Sequence, residues 1–449
     1  MQNQIIIANV DNERMLGDIT AVPTHVFEST ALVSNRLLWL ARAGDIIILP
    51  RVPSARFLKY IQSIINIDFS NITILTPNEI AQHRTSITSD ILLSERLLTQ
   101  IKRALNKRPE LHWNILPYYF TTAVGQLGRN LAKELSLDLP SFNTEGGAEP
   151  LNQKTIFRKL AAGIKIPFAT GEVVDNIPAL KKSIAHLLKF TGSVIVKQDK
   201  SAGGDGNYVI SSTHCSSFKG ARKFFSLDNY TLEEISEIIQ AELITAGNES
   251  LTIEVYYDAS AVVYSEYFLG GSNSVEYLSH GVMRMQPLWS GFEIPGQIPP
   301  KNQATFIHNS TTLALLAKSL GYVGHLNIDA IITPDDKIIF TEVNGRIGGC
   351  THVHTVAQQL LGSNYLNTHQ ITTYNSIFVE SFQSYLNALI KHNINFSEST
   401  QKGTLILSSD QHDNGTALEL MFIGSDIKET LSIETAARAL ANTQYDQRP

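Results

Sequence analysis

Between Gly324 and Gly349 the chain reads GHLNIDAIITPDDKIIFTEVNGRIGG, and no other stretch narrows its fold as much. Two aliphatic runs, HLNIDAIIT and KIIFTEV, are separated by the turn residues Pro334, Asp335 and Asp336, which predicts a β-hairpin. In a twisted hairpin Asp329 and Glu342 can face the same side across the turn. Asn344, two residues beyond Glu342, points the same way on the pleat. Two carboxylates and an amide are hard oxygen donors, a partial shell that suits magnesium when phosphate oxygens complete it. Arg346 continues the face, where a guanidinium can grip a phosphate or carboxylate with two bonds. The bland alternative is three solvated strand residues. Both strands are otherwise apolar, so polar groups there face burial without a partner, and this favours the metal site.

A second stretch, SVIVKQDKSAGGDGN, ends an apolar strand on Lys197 and follows it with Gly203, Gly204 and Gly206. Small residues let backbone N–H groups approach an anion closely, so a phosphate-cradling loop is one reading. A simple hairpin turn is the other. The spacing is neither GxxxxGK[ST] nor GxGxxG, which excludes the two commonest phosphate loops.

With 449 residues, the chain has a prior of roughly three domains. The first 150 residues alternate short aliphatic runs (IIIANV, DIIIL, NITIL) with helical patterns (SDILLSERLLTQIKRAL, VGQLGRNLAKEL). That alternation predicts a parallel sheet with helices on its faces. Gly125 and Gly128 open the last of these helices without a GxGxxG after a strand, so dinucleotide binding is not expected. A polar break, SFNTEGGAEP, follows at Ser141 to Pro150, and a helix then runs from near Asn152 to Gly163. Leu232 to Gln240 reads as a helix running into a short strand before the turn Ala246-Gly247-Asn248. LTIEVYYD and AVVYSEYF read as neighbours in an antiparallel meander. The C-terminal end, with TLILSSD, ALELMFIG and LSIETAARALA, reads as a small appended α+β unit.

The 36 basic and 42 acidic residues give a net charge of −6, which argues against general affinity for nucleic acid or an anionic membrane. Cys215 and Cys350 cannot build a disulfide framework, and no CxxC occurs. A reducing compartment is the expectation. The N-terminus lacks a basic start and an apolar core of signal-peptide length, and no apolar run approaches the ~20 residues needed to span a bilayer. A soluble, cytoplasmic protein is expected.

The two motifs together resemble the ATP-grasp superfamily. The hairpin is similar to its metal-binding signature, an acidic residue followed by Glu-x-Asn-x-Arg. Lys197 with its glycine loop is similar to its nucleotide lysine and mobile loop, and the order of motifs also matches. Within the superfamily the layout most resembles the pheganomycin-type peptide ligases, on motifs between Lys154 and Gly349 and on layout alone for the flanks. The resemblance implies a multidomain α/β and α+β chain. Residues 1–150 form a Rossmann-like pre-ATP-grasp domain and 151–375 the ATP-grasp domain, as subdomains 151–242 and 243–375. Residues 376–449 form a small C-terminal domain.

It further implies that ATP is held by Lys154 or Arg158, by Lys197, and by Ser201, Gly203, Gly204 and Gly206. Backbone contacts to adenine fall at Gln240, Ala241 and Leu243, and Glu249 stands near the ribose. Asp329, Glu342 and Asn344 hold Mg2+, with Mn2+ a substitute, while Arg346 and Arg284 stabilise phosphate or acyl phosphate. Two positions depart from the pattern. Gln240 is acidic in many members, and Asn327 stands where some amino-acid ligases carry a carboxylate-binding arginine, leaving His325 or Arg284 to substitute.

The implied reaction is ATP-driven joining of an amino-acid-like carboxylate to the amine of an amino acid or peptide. The oligomeric state stays open, a homodimer included. The alternatives are a carboxylase-like ATP-grasp enzyme, for which no biotin-carrier lysine motif is evident, a non-catalytic ATP sensor, and a phosphotransferase, for which no phosphohistidine domain is evident. The pair His352 and His354 could be a zinc site, though an active-site rim or helix start fits better. Cys350 lacks an obvious base partner, and the absence of HRD and DFG stretches argues against a protein kinase.

Overall fold

The computed structural model describes residues 3–445 apart from 21, 23, 78–85, 109–110, 133–138, 202, 213–217, 246–248 and 272–273. Cys215 and the turn Ala246-Gly247-Asn248 lie outside the described residues. Three sheets organise the chain.

The first sheet takes its strands from the aliphatic runs of the N-terminal region: β1 (Asn3–Ile7), β2 (Ile46–Ile48), β3 (Thr73–Leu75) and β4 (Trp113–Pro117), in the order β3-β2-β1-β4. Each described pairing is parallel. Ile5, Ile6 and Ile7 are fully buried, as a strand covered on both faces requires. β4 has no counterpart among the expected strands. It ends on Pro117 at the sheet's edge, the one place where a missing N–H is tolerated. The single helix expected over SDILLSERLLTQIKRAL is two, Ser89–Leu92 and Glu95–Leu105. Between them Ser94 adopts an extended backbone and its side chain accepts from the Leu97 N–H, capping the second. Gly125 and Gly128 serve packing: a Cβ at 125 would stand 2.9 Å from the Thr144 carbonyl oxygen, and one at 128 would stand 2.2 Å from Leu139.

The second sheet contains β5 (Gly171–Val174), β6 (Ser193–Gln198), β7 (Asn207–Ser211), β8 (Lys223–Ser226) and β9 (Leu251–Val255), in the order β5-β9-β6-β7-β8. The helices Ile177–Thr191 and Leu232–Leu243 cover it around a core of its own, with Leu180, Ile184, Ile235 and Ile239 at its centre. Here the structure corrects the meander: β9 pairs antiparallel with β5 and β6, not with the strand that follows it. Every residue of LTIEV is buried, so a local pattern could not reveal which sheet covers it.

The third sheet has eight strands: β10 (Ala261–Leu269), β11 (Val275–Met285), β12 (Trp289–Ile294), β13 (Gly324–Ile332), β14 (Ile338–Asn344), β15 (Gln370–Val379), β16 (Gly403–His412) and β17 (Gly415–Gly424). Their order is β14-β13-β10-β11-β12-β15-β17-β16. The C-terminal hairpin thus continues the sheet that holds the hairpin around Pro334. The boundary expected at 375/376 falls within β15, where its register with β17 shifts between Tyr374 and Ile377.

The C-terminal hairpin is also fastened to the first domain. Trp39 donates its indole N–H to the Leu407 carbonyl at 2.5 Å, Asn35 donates to Ser409 O at 2.9 Å, and Tyr60 Oη accepts from the Ile406 N–H at 3.0 Å. Arg36 Nε lies 2.8 Å from Glu419 Oε2, both side chains almost wholly buried. Removing one member of such a pair strands the other charge out of water. Glu419→Ala is therefore expected to cost about 3–5 kcal/mol in denaturant unfolding, and a loss below about 1 kcal/mol would show the pair to be solvated.

Candidate active site

The sequence hairpin forms as expected, and its register places the carboxylates: Asp329 is the cross-strand partner of Glu342, and Asn327 of Asn344. Asn344 Nδ2 donates to Asp329 Oδ2 and to Glu342 Oε1, each at 3.3 Å, while Arg346 Nη2 donates to Asn344 Oδ1 at 2.9 Å. Lys154, at the start of the helix Lys154–Gly163, brings its Nζ to 3.2 Å from Glu342 Oε2. Burial and the charge of Glu342 push the Asp329 carboxyl well above its ordinary range. Burial also pushes Glu342 up, but Lys154, Asp329 and Arg346 outweigh it and bring that carboxyl down to about 2. The nucleotide-free floor thus favours one proton on Asp329 and an ionised Glu342 held by a lysine.

A divalent cation fits the same position. It would neutralise both carboxylates, which removes the reason for the proton, and the Asn344 amide oxygen would be a third oxygen donor to it. Among the described residues no group of three or more His, Cys, Asp or Glu side chains could hold a metal, and the candidate set expected from the sequence has two carboxylates and the amide of Asn344.

The second sheet supplies the opposite wall. Lys197, on β6, is 2.6 Å from Glu254 Oε2 on β9, and Arg158 Nη1 is 2.6 Å from Glu254 Oε1. Arg158 also donates to the carbonyls of Ala169 and Gly171 at 2.9 and 2.8 Å, and its guanidinium lies 4.8 Å from the Phe168 ring centre. Lys154 and Lys197 line the cleft between the walls and Arg158 does not. After Lys197, Gly203 and Gly204 adopt left-handed backbone at φ +63° and +92°, which an L side chain resists. A Cβ on Gly204 would come within 3.0 Å of the Gly220 carbonyl oxygen, so the loop packs backbone to backbone.

The cleft, a cavity of about 250 Å³, is lined by Ser201, Gly203 and Gly204 of the loop, by Asp329, Glu342, Asn344 and Arg346, and by Val255 at the end of β9 with Tyr256 and Tyr257 after it. The first domain contributes Arg36 and Tyr118, which the sequence did not single out. Gly206 closes the loop's base, where its carbonyl accepts from the Gln198 N–H at 2.9 Å.

Several expected site residues are elsewhere. Gln240, Ala241 and Leu243 do not line the cleft. They belong to the helix Leu232–Leu243, which a capping box between Thr231 and Glu234 starts and which carries its apolar stripe Ile235, Ile239, Leu243 to its last turn. Leu243 is packed in the core and Gln240 and Ala241 are exposed. The crossing between the two walls comes later, at Tyr256 to Ser260, so the residues expected to meet adenine, Gln240, Ala241 and Leu243, lie outside the cleft. Glu249 is exposed and also does not line the cleft. Arg284 is corrected too: its neighbours Met283 and Met285 face the cleft, and Arg284, on the other face of β11, binds Glu434 at 2.8 Å.

His352 and His354 separate, His352 Nε2 lying 3.3 Å from Glu419 Oε1 and His354 Nδ1 3.0 Å from Tyr365 Oη, which removes the zinc reading. The Cys350 thiol is buried 3.3 Å from Glu266 Oε2, and burial with that carboxylate pushes it well above the ordinary thiol range, so it is no nucleophile.

Arg346 also lines a second cavity of about 570 Å³ between the first domain and the third sheet, shared by Arg42, Asn114, Tyr322, His325 and Gln359. His325 Nδ1 stands 3.2 Å from Glu266 Oε1. One guanidinium therefore separates a lysine-lined cleft from a larger chamber. No described helix is long and apolar enough to cross a membrane.

Residues 34–132 match the pre-ATP-grasp domain family. No match to the sequence was found among curated proteins. Solved structures resemble the chain over its length. An N5-carboxyaminoimidazole ribonucleotide synthetase in its ADP complex superposes with a TM-score of 0.58 at 12% identity, covering 99% of this chain and 98% of that one. The Campylobacter jejuni biotin carboxylase gives 0.57 at 14%, covering 97% and 91%. The biotin carboxylase domain of the Hydrogenobacter thermophilus 2-oxoglutarate carboxylase, in complex with MgADP, ADP and bicarbonate, gives 0.59 at 12%, covering 100% and 94%. The chain has the ATP-grasp fold with a pre-ATP-grasp domain.

Proposed function

We propose that this chain is an ATP-dependent carboxylate–amine ligase of the peptide-ligase kind. In this reading it activates an amino-acid-like carboxylate as an acyl phosphate, joins it to the amine of an amino acid or peptide, and releases ADP and phosphate. The observation that carries the reading is the cleft itself: Asp329, Glu342 and Asn344, with Lys154 against Glu342, line it from one side and Lys197 from the second sheet, with Arg346 at the exit to a second chamber. Fold neighbours complexed with ADP and with MgADP support the nucleotide and the cation.

Lys197 would leave Glu254, and Lys154 Glu342, to meet phosphate oxygens, and the carboxylates and Asn344 would hold magnesium. The bound cation supplies neutralisation of charge on the transferring phosphoryl group. The glycine loop covers the phosphates and excludes water, which would hydrolyse an acyl phosphate. A carboxylate oxygen takes the γ-phosphoryl group as the bond to the ADP oxygen breaks. Arg346 holds the acyl phosphate in reach of both cavities. The amine attacks the acyl carbon, phosphate leaves with the electron pair of the broken C–O bond, and the amine loses its proton. His325, beside buried Glu266 and lining the second cavity, is the group we assign to take that proton.

The names of the fold neighbours favour a second reading, in which bicarbonate occupies the carboxylate's place. One assay separates the two: phosphate release from MgATP with single amino acids, pairs, short peptides, or bicarbonate. Release that requires a carboxylate and an amine together, with an amide product by mass, is the expected result. Release driven by bicarbonate alone would select the second reading, and nucleotide binding without release across the panel would favour a sensor.

A further inference from the structure

We infer that the cleft takes a carboxylate bearing a bulky apolar substituent, aromatic in class, which lodges in a box on the third sheet beside the metal carboxylates. The inference rests on the ligase reading for where the carboxylate sits, and on the sheet register for the box. Asp329 pairs with Tyr264 across β13 and β10, Val262 pairs with Met283 across β10 and β11, and Met283 pairs with Phe292 across β11 and β12. Paired residues share a face, so the floor that begins at the carboxylates continues as Tyr264, Met283 and Phe292. Neighbouring strands lie about 4.8 Å apart, so Tyr264 stands about one strand spacing from Asp329, Met283 about two and Phe292 about three, a span a substituent of aromatic size or larger is needed to cover.

The box is apolar at its walls. The Tyr264 and Phe292 rings are 4.7 Å apart, and the Trp289 and Phe292 rings 5.0 Å. Trp289 spends its N–H on the Gly291 carbonyl at 3.0 Å and lines the cavity, with the Arg36 guanidinium 5.7 Å from its ring centre. Met283 and Met285 add flexible thioether surface that adapts to a ligand ring. The cations lining this part of the cavity are engaged, Arg36 with Glu419 at 2.8 Å and Lys219 with the Ala259 carbonyl at 2.9 Å. The box adjoins the catalytic segment: a Cβ on Gly349 would stand 2.6 Å from the Trp289 ring, three residues beyond Arg346. Bicarbonate or acetate would leave this surface bare.

Trp289 reports on the box, because Trp39 and Trp113 are fully buried elsewhere. The full chain, saturated with magnesium and a non-hydrolysable ATP analogue, is titrated with phenylalanine and 3-phenylpropionate, and separately with aspartate and acetate, by fluorescence and calorimetry. The aryl carboxylates are expected to bind at least about tenfold more tightly, by the scale of filling an apolar pocket, and to change the indole emission. Trp289→Ala, read by calorimetry, is expected to abolish the preference while nucleotide affinity stays. Gly349→Ala, which drives the indole into the box, is expected to weaken aryl binding alone.

Equal binding of aspartate or acetate overturns the inference, as does an emission change complete with nucleotide alone, or no saturable aryl binding at millimolar concentration. Phosphate release is followed on the same samples with an amine added. Aryl-selective binding without release supports the box and sinks the ligase reading, and release driven by polar carboxylates does the reverse.

Discussion

Glu342→Gln is expected to lower ATP turnover by about a thousandfold or more, the scale of losing a charge that stabilises a transferring phosphoryl group, while the chain stays folded. The amide keeps the shape of the side chain and removes the charge that draws Lys154 to 3.2 Å and would hold the cation. Asp329→Asn separates function from stability more sharply. Burial and Glu342 raise the folded-state pKa of Asp329, so the protonated form is the one folding favours. That contribution is complete below the unfolded value of about 3.8 and is lost as pH rises through the folded one. At neutral pH the unfolded chain ionises Asp329 while the folded floor still favours the proton, and this difference works against the fold. A neutral amide in its place relieves this, so the variant is expected to melt higher than the parent without magnesium and to turn over no ATP. Phosphate release and melting curves with and without MgADP check both variants. Near-parental turnover in Glu342→Gln would remove the cation site from the mechanism.

The same hairpin shows why part of the site was legible. Its two strands are consecutive, so the turn at Pro334 to Asp336 determines their pairing and puts Asp329 opposite Glu342 without distant information. Lys197 was legible because an apolar strand ends on it and glycines follow at once. β9 shows the limit. LTIEV reads as a strand, but its partners β5 and β6 precede it by dozens of residues, and no local period encodes a partner. The adenine contacts that the resemblance implied at Gln240, Ala241 and Leu243 fall on a helix that runs on to Leu243, where a short strand was expected to begin after Gln240.

Arg284 failed on parity. The motif logic asked for a cation near the phosphates, but the pleat gives the cleft to Met283 and Met285. Arg36 escaped for a different reason. It sits in RLLWL with no motif around it, and its place in the cleft depends on Glu419, 383 residues away. The boundary at 375/376 shows the same dependence, since only the pairing of β15 with β12 and β17 reveals that the C-terminal hairpin shares the sheet.

Lys197→Met is expected to weaken ATP and ADP binding about 10- to 150-fold, the equivalent of one charged hydrogen bond of about 1.5–3 kcal/mol. Burial makes this lysine a strong test. Its Nζ is held 2.6 Å from Glu254, and that carboxylate keeps Arg158 at 2.6 Å when the lysine is gone, so it is not left as an unpaired buried charge. The lost affinity can then be read as lost phosphate contact and not as collapse of the wall. Arg158→Met is the counterpart. Its guanidinium serves Glu254 and the carbonyls of Ala169 and Gly171 from outside the cleft, so the change is expected to lower the melting temperature with little effect on nucleotide affinity. Lys154→Met, which faces the cleft from the first turn of its helix, should follow Lys197. Calorimetric titration with MgADP, paired with a melting curve for each variant, distinguishes these roles. An unchanged dissociation constant in Lys197→Met would mean that the phosphates do not pass the end of β6. A loss confined to Arg158→Met would exchange the roles of Lys154 and Arg158, because only a guanidinium released from its three acceptors could then reach the nucleotide.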